Sequence, residues 1–198
     1  MNTSMNKRAQ ILSAGLAVMR LQGYSGTGVK DIVDAAGVPK GSFYNYFASK
    51  EAFTVAALEQ VAAGNLGQMR RMLGDTNTSP LKRISNFFIQ NIEHLKRTKQ
   101  FAGGCFVGTI CQEIADVNET IRQAGARLLQ DYEKVFSDCL HEAQEQGELK
   151  QDVDTMALAS FIFTAWEGAL LKMKADKSAL PLDQFLQQMN RFLKSHTM

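Results

Sequence analysis

Six residues within a stretch of seven, Lys40, Gly41, Ser42, Tyr44, Asn45 and Tyr46, combine a cation, hydroxyls, an amide and aromatic rings, and Lys50 follows four residues later. That set suits a polyanion with hydrogen-bonding edges. Ammonium and phenol groups meet phosphate oxygens, while short polar side chains reach base edges. Gly41 lets a backbone approach its partner closely. Lys50 stands at a helix start, where backbone N–H groups also bind phosphate. A second reactive candidate is Cys105, a thiol set in the glycine-rich run Phe101-Ala-Gly-Gly-Cys-Phe-Val-Gly108. A helix start lowers a thiol pKa and raises its reactivity, but buried cysteines also serve as plain packing, so Cys105 reads as sensor or as core. Cys111 and Cys139 fit core positions better. His94, His141 and His196 stand alone, without a second ligand at metal spacing. No metal and no cofactor are expected, and no nucleophile elbow or phosphate-cradling loop is present.

The elements that must position these groups are helical. All three prolines, Pro39, Pro80 and Pro181, fall between periodic segments rather than inside them. The pattern predicts helices over about 7–22, 29–36, 40–46 and 49–73, with Gly23 and Gly37 as stops and Ser49 as an N-cap. Residues 74–80 form a loop, with Ser79-Pro80 opening the next helix. Longer apolar stripes at three- and four-residue spacing follow through Leu81–Leu95, Ile121–Ala143, Ala159–Met173 and Leu182–Phe192. Residues 98–118 read as a loop leading into a short helix. Gly64 and Gly67, inside the fourth helix, mark either a hinge or an early helix end. The fold class is therefore all-α: three short elements and then a larger helical body.

Residues 24–53 describe two short helices joined around Gly37, with Ile32, Val33 and Ala36 small enough for a close crossing. That is helix-turn-helix geometry. Phe43, Phe47 and Phe53 are expected in its core. The ordered set Ile11-Leu12, Gly23-Tyr24, Thr27, Asp31-Ile32, Ala36-Gly37-Val38, Lys40-Gly41-Ser42, Tyr44-Asn45-Tyr46-Phe47 and Ser49-Lys50-Glu51-Ala52 resembles the DNA-binding domain of the TetR/AcrR family of bacterial regulators. The match spans about 45 residues. The resemblance implies about nine helices, a DNA-binding domain over 1–50 and a regulatory and dimerisation domain over 51–198. It implies phosphate contacts from Tyr44, Lys50 and Thr27, base-edge contacts from Ser42 and Asn45, and either role for Tyr46. Gly28 departs from the family's usual hydroxyl residue, leaving only its backbone N–H for a phosphate.

The resemblance further implies a homodimer on a palindromic DNA operator, joined through the last two helices. Trp166, Gly168, Leu170, Phe185, Met189 and Phe192 are the expected interface. It also implies a subgroup in which a cysteine at the place of Cys105 answers electrophiles or oxidants. The alternative input is a small apolar inducer held among Phe88, Phe101, Phe106, Phe163 and Trp166. The function expected is a transcriptional repressor released by its inducer, with an activator as the variant. From another class, a thiol-dependent helical enzyme or a small-molecule carrier would use Cys105, and the ordered helix-turn-helix match discriminates against both.

Charge agrees with a nucleic-acid partner. The first 50 residues hold six Lys and Arg against two Asp, a net +4, while the remaining residues carry a net −2. Hydrophobic residues make up 45% of the 198 and charged ones 21%, enough for a packed core and too few charges for disorder. No apolar run approaches a membrane span, and three cysteines without a CxxC pair suit a reducing, cytoplasmic location.

Overall fold

The computed structural model describes residues 3–97 and 103–197. Phe101, expected in a pocket, lies outside them. Among the described residues there are nine helices and no strand: α1 (Thr3–Gln22), α2 (Val29–Ala36), α3 (Lys40–Tyr44), α4 (Lys50–Leu73), α5 (Pro80–Arg97), α6 (Phe106–Ile114), α7 (Glu119–Glu145), α8 (Thr155–Asp176) and α9 (Leu180–Ser195). Local signals set most boundaries. Gly37 ends α2 in the left-handed conformation at φ 64°, its N–H bonded to the Asp34 and Val33 carbonyls. Ser49 Oγ accepts the Ala52 N–H at 3.2 Å and caps α4. Asp154 caps α8 through the N–H groups of Met156 and Ala157. One expectation changes: α3 stops at Tyr44, so Asn45 and Tyr46 form the turn after it. α4 covers its expected range, unbroken through Gly64 and Gly67, so neither glycine ends it.

The chain divides into two compact units. The first takes the residues up to Ala63 together with Phe106–Leu128. The second takes Gly64–Cys105 and everything from Leu129. The short helices of the head cannot enclose a core alone, so Phe53, Ala57 and Leu58 of α4 complete it, each fully buried. Close approach is built in at Gly15. A Cβ there would stand 2.5 Å from Phe53 Cζ and 2.7 Å from Ile32 Cγ2, so α1 lies directly on α2 and α4. Phe43, Phe47 and Phe53 form one ring cluster with centroids 5.1–5.7 Å apart.

In the second unit the core is also aromatic. Phe88 stacks on Phe136 at 5.3 Å and meets Trp166 at 5.2 Å and Phe185 at 4.9 Å, joining α5, α7, α8 and α9. By length and composition α8 passes as a membrane span, which corrects the reading that no apolar run is long enough. Its residues sort onto two faces. Leu158, Ile162, Trp166, Leu170 and Met173 are buried, whereas Phe161 and Leu171 are each 55% exposed.

Candidate nucleic-acid interface and thiol site

The head presents its expected contact residues outward. Lys40, Gly41, Tyr44 and Asn45 are exposed, and Ser42, Tyr46 and Lys50 are half-buried. Tyr44 is 52% exposed, its ring braced edge-on against buried Phe43 at 5.3 Å. A Cβ at Gly41 would meet no neighbouring atom, so that face of α3 is open to an outside surface. Exposed aromatic, cationic and amide groups on a short helix held by a phenylalanine cluster are what a major-groove reader needs.

Two residues expected at phosphates are occupied elsewhere. Thr27 is fully buried and its hydroxyl donates to the Gly23 carbonyl at 2.6 Å, so it locks the turn between α1 and α2. The Gly28 N–H donates to the Asp31 carboxylate at 2.7 Å, a helix-start bond that leaves it no phosphate. Lys50 is also engaged. Its ammonium stands 4.0 Å above the Tyr24 ring and donates to the Tyr24 carbonyl at 3.1 Å. A lysine keeps further donors after one such bond.

The sequence did not reveal what holds this turn. The Tyr24 and Ser25 N–H groups donate to the Glu113 carboxylate of α6 at 2.8 and 2.7 Å. The Tyr24 hydroxyl donates to Glu51 of α4 at 2.9 Å. Burial alone would raise the Glu113 carboxyl, but the two backbone bonds outweigh it and hold the group below the ordinary carboxylate range. Burial and the Glu51 bond push the Tyr24 phenol up to about 12. A separation of 88 or 89 residues leaves no local pattern for Glu113 to show.

The three cysteines are thiols in three different settings. Cys139 is buried, donates to the Pro80 carbonyl at 3.4 Å, and is pushed up to about 12 by burial, the setting of an inert thiol. Cys111 lies against Gly125, where a Cβ would come within 2.2 Å of its sulfur. Cys105 is half-buried directly before α6, after Gly103 and Gly104, whose φ angles of 143° and 125° favour glycine. Its thiol is hydrogen-bonded to the Glu167 carboxyl of α8.

The described residues expected to line an inducer pocket sit as follows. Phe88 and Trp166 belong to the aromatic core, Phe163 packs on Tyr132 at 5.7 Å, and Phe106 is buried in the first unit. A cavity of about 280 Å³ lies beside the end of α4, lined by Arg70, Asp131, Lys134, Asp138 and Glu142 among others. The residues expected at the dimer interface divide by burial. Trp166, Leu170, Phe185 and Met189 point into their own chain's core, so of the six only Gly168 and Phe192 are exposed. Among the described residues no group of three His, Cys, Asp or Glu is placed to hold a metal.

A helix-turn-helix head with an open polar α3, joined to an all-helical body, defines a DNA-binding regulator rather than an enzyme. The family model described as "Bacterial regulatory proteins, tetR family" matches residues 11–57, and "Tetracyclin repressor-like, C-terminal domain" matches residues 80–189. The HTH-type transcriptional repressor DhaR of Mycobacterium sp. (strain GP1) is 36% identical over 179 residues, covering 90% of this chain and 88% of its own. The reduced form of NemR from E. coli superposes with a TM-score of 0.87 at 27% identity, covering 94% of this chain and 96% of its own. The regulatory protein TetR from Rhodobacter sphaeroides gives 0.83 at 34%, covering 92% and 96%. The chain belongs to the TetR family of DNA-binding transcriptional regulators.

Proposed function

We propose that this protein is a homodimeric repressor that binds a palindromic operator and leaves it when an electrophile modifies Cys105. The open face of α3 carries the DNA half of this reading, and the name of DhaR as a repressor supports the sign. The Cys105–Glu167 contact supports the thiol input, as does the solution of NemR in a form named as reduced. A non-covalent inducer is the second reading.

Contacts to DNA fall to Lys40, Ser42, Tyr44, Asn45, Tyr46 and Lys50. In fluorescence anisotropy on the gene's own upstream DNA, Lys40→Ala is expected to weaken binding on all sequences and to reduce the salt slope by about 1. Tyr44→Ala is expected to weaken binding about tenfold. Unchanged affinity in both would remove α3 from the interface. Iodoacetamide release of the operator that is lost in Cys105→Ser tests the thiol input; equal release in both proteins would move the reactive thiol elsewhere, and release in neither would favour the non-covalent inducer.

The dimer face is supported by Ala157, Phe161, Thr164, Gly168 and Leu171, all exposed on α8 at alternating four- and three-residue steps. Phe192 of α9 adds to it, its ring 5.2 Å from Phe161. A palindromic operator asks a two-fold dimer to present two α3 helices ~34 Å apart. Phe161→Asp is expected to shift the protein to monomer in analytical ultracentrifugation and to abolish tight operator binding. A variant that stays dimeric would place the interface elsewhere.

A further inference from the structure

Around Cys105 the second unit gathers groups that the DNA-binding role does not use. A Cβ on Gly104 would stand 3.1 Å from Lys174 Cε, 3.3 Å from its Nζ and 4.0 Å from Leu170 Cβ, so the strand of chain carrying the thiol lies on α8. One helical turn before Leu170 on that helix is Glu167, whose carboxyl is bonded to the thiol. Tyr132 of α7 feels the charges of both Cys105 and Glu167, with Asp131 beside it, and its hydroxyl accepts a 3.1 Å bond from Asn65 of α4. α8 and α7 therefore bring Glu167, Lys174 and Tyr132 around one half-buried thiol.

We propose that Glu167 is the proton acceptor for Cys105, and that this makes Cys105, of the three thiols, the one that reacts with a soft carbon electrophile. The proposal deepens the thiol reading above and rests on it only for the link to DNA release. Burial raises the Glu167 carboxyl above its ordinary range, against the lowering effects of the Cys105 bond and the Lys174 charge. A carboxylate whose pKa is raised holds a proton more readily than an ordinary one. The transfer from thiol to carboxylate also leaves one negative charge where there was one, so no additional charge is buried.

With iodoacetamide the step balances. The thiol proton passes to a Glu167 carboxylate oxygen, and the sulfur lone pair attacks the methylene carbon. The S–C bond forms as the C–I bond breaks, and iodide leaves with the bonding pair. Cys139, whose hydrogen bond goes to a carbonyl that cannot take a proton, has no such route.

The sign of one substitution separates a proton acceptor from a mere neighbouring charge. If Glu167 acted only through its charge, Glu167→Gln would remove a repulsion, favour the thiolate and speed alkylation. A proton acceptor predicts the reverse: alkylation of the Cys105 peptide, followed by mass spectrometry at neutral pH, slows about tenfold or more. The pH–rate profile of the wild type falls as Glu167 protonates. In Glu167→Gln that lower inflection disappears, leaving only the thiol ionisation at higher pH, and Glu167→Asp restores part of the rate. Operator affinity of unmodified Glu167→Gln and its thermal midpoint serve as folding controls. A rate unchanged or raised in folded Glu167→Gln overturns the proposal, and so does alkylation of Cys111 or Cys139 before Cys105. Glu167-dependent alkylation without operator release would uphold this proposal and reject the thiol as the inducing input.

Discussion

Glu142→Ala is expected to destabilise the protein by about 3 kcal/mol, the cost of leaving a buried cation without its partner. Arg83 is 2% exposed and spends its guanidinium on two tasks. Nη1 donates to the Leu73 carbonyl at 2.6 Å and to Glu142 Oε2 at 2.9 Å, and Nη2 donates to Glu142 Oε1 at 2.5 Å. The Leu73 carbonyl belongs to the last turn of α4, where a helix has no acceptor bonds of its own to make. Nε is buried without a hydrogen-bond partner, so the site already carries one unsatisfied donor. Removing the carboxylate leaves the cation to a single carbonyl. Glu142 itself is 32% exposed, so water reaches part of the gap and the effect falls at the low end of the range for buried pairs. Arg83→Met removes charge and orphan donor together and should cost less than Glu142→Ala, although fewer interactions survive. Urea unfolding of both variants measures the order, and a smaller loss in Glu142→Ala would mean that solvent already screens the pair.

The same pair fixes a pH dependence. The Arg83 bond holds the Glu142 carboxyl below the ordinary carboxylate range, with burial opposing it. A depressed folded value means that the ion pair's contribution is complete above the unfolded pKa. It is lost as pH falls through the folded one. Wild-type stability should therefore drop between neutral pH and pH ~3 more steeply than that of Glu142→Ala, whose slope lacks this carboxyl.

What the sequence makes legible here is local. Ser49, Ser79-Pro80 and Gly37 act on backbone groups within four residues, so the helix starts and stops they imply match the structure closely. Three- and four-residue periodicity likewise marks every body helix. Side-chain direction on a helix that is apolar all round is a different matter. On α8 the Trp166 and Leu170 row and the Phe161, Gly168 and Leu171 row are both apolar, and only packing against α9 and α5 decides which faces inward. The exposed row does carry the regular spacing of a helix–helix seam, a signal the larger residues of the other row obscured. Thr27 illustrates the converse error. A hydroxyl beside a helix start suits a phosphate by type, yet its burial against the Gly23 carbonyl depends on tertiary closure. Glu113 and Glu167 each bond a residue more than sixty positions away, and no spacing rule reaches that far.

Glu113→Ala is expected to weaken operator binding about tenfold, ~1.4 kcal/mol, although Glu113 lies in α6 and is not among the residues assigned to DNA. Its carboxylate gathers the N–H groups of Tyr24 and Ser25 in the turn that leads into α2, and α3 follows α2 across Gly37. Tyr24 also carries the Lys50 ammonium above its ring and bonds Glu51, so one residue ties the end of α1 to the starts of α4 and, through Glu113, to α6. Without the carboxylate the turn keeps the Thr27, Lys50 and Tyr24–Glu51 bonds but loses the acceptor of two backbone donors, and water takes the exposed Ser25 N–H. The head then samples more arrangements, and DNA must select among them at a cost in affinity rather than in contacts. Glu113→Gln keeps one carbonyl acceptor and should fall between wild type and Ala. Because the group is held below the ordinary carboxylate range, wild-type affinity should not change through this residue between neutral pH and pH ~5. The salt slope separates this loss from that of Lys40→Ala. Glu113→Ala removes no phosphate contact and should leave the slope as it is, with affinity reduced equally at every salt concentration. A shallower slope, or full affinity, would mean that the turn keeps its shape without Glu113 and that α6 has no hold on the reading helix.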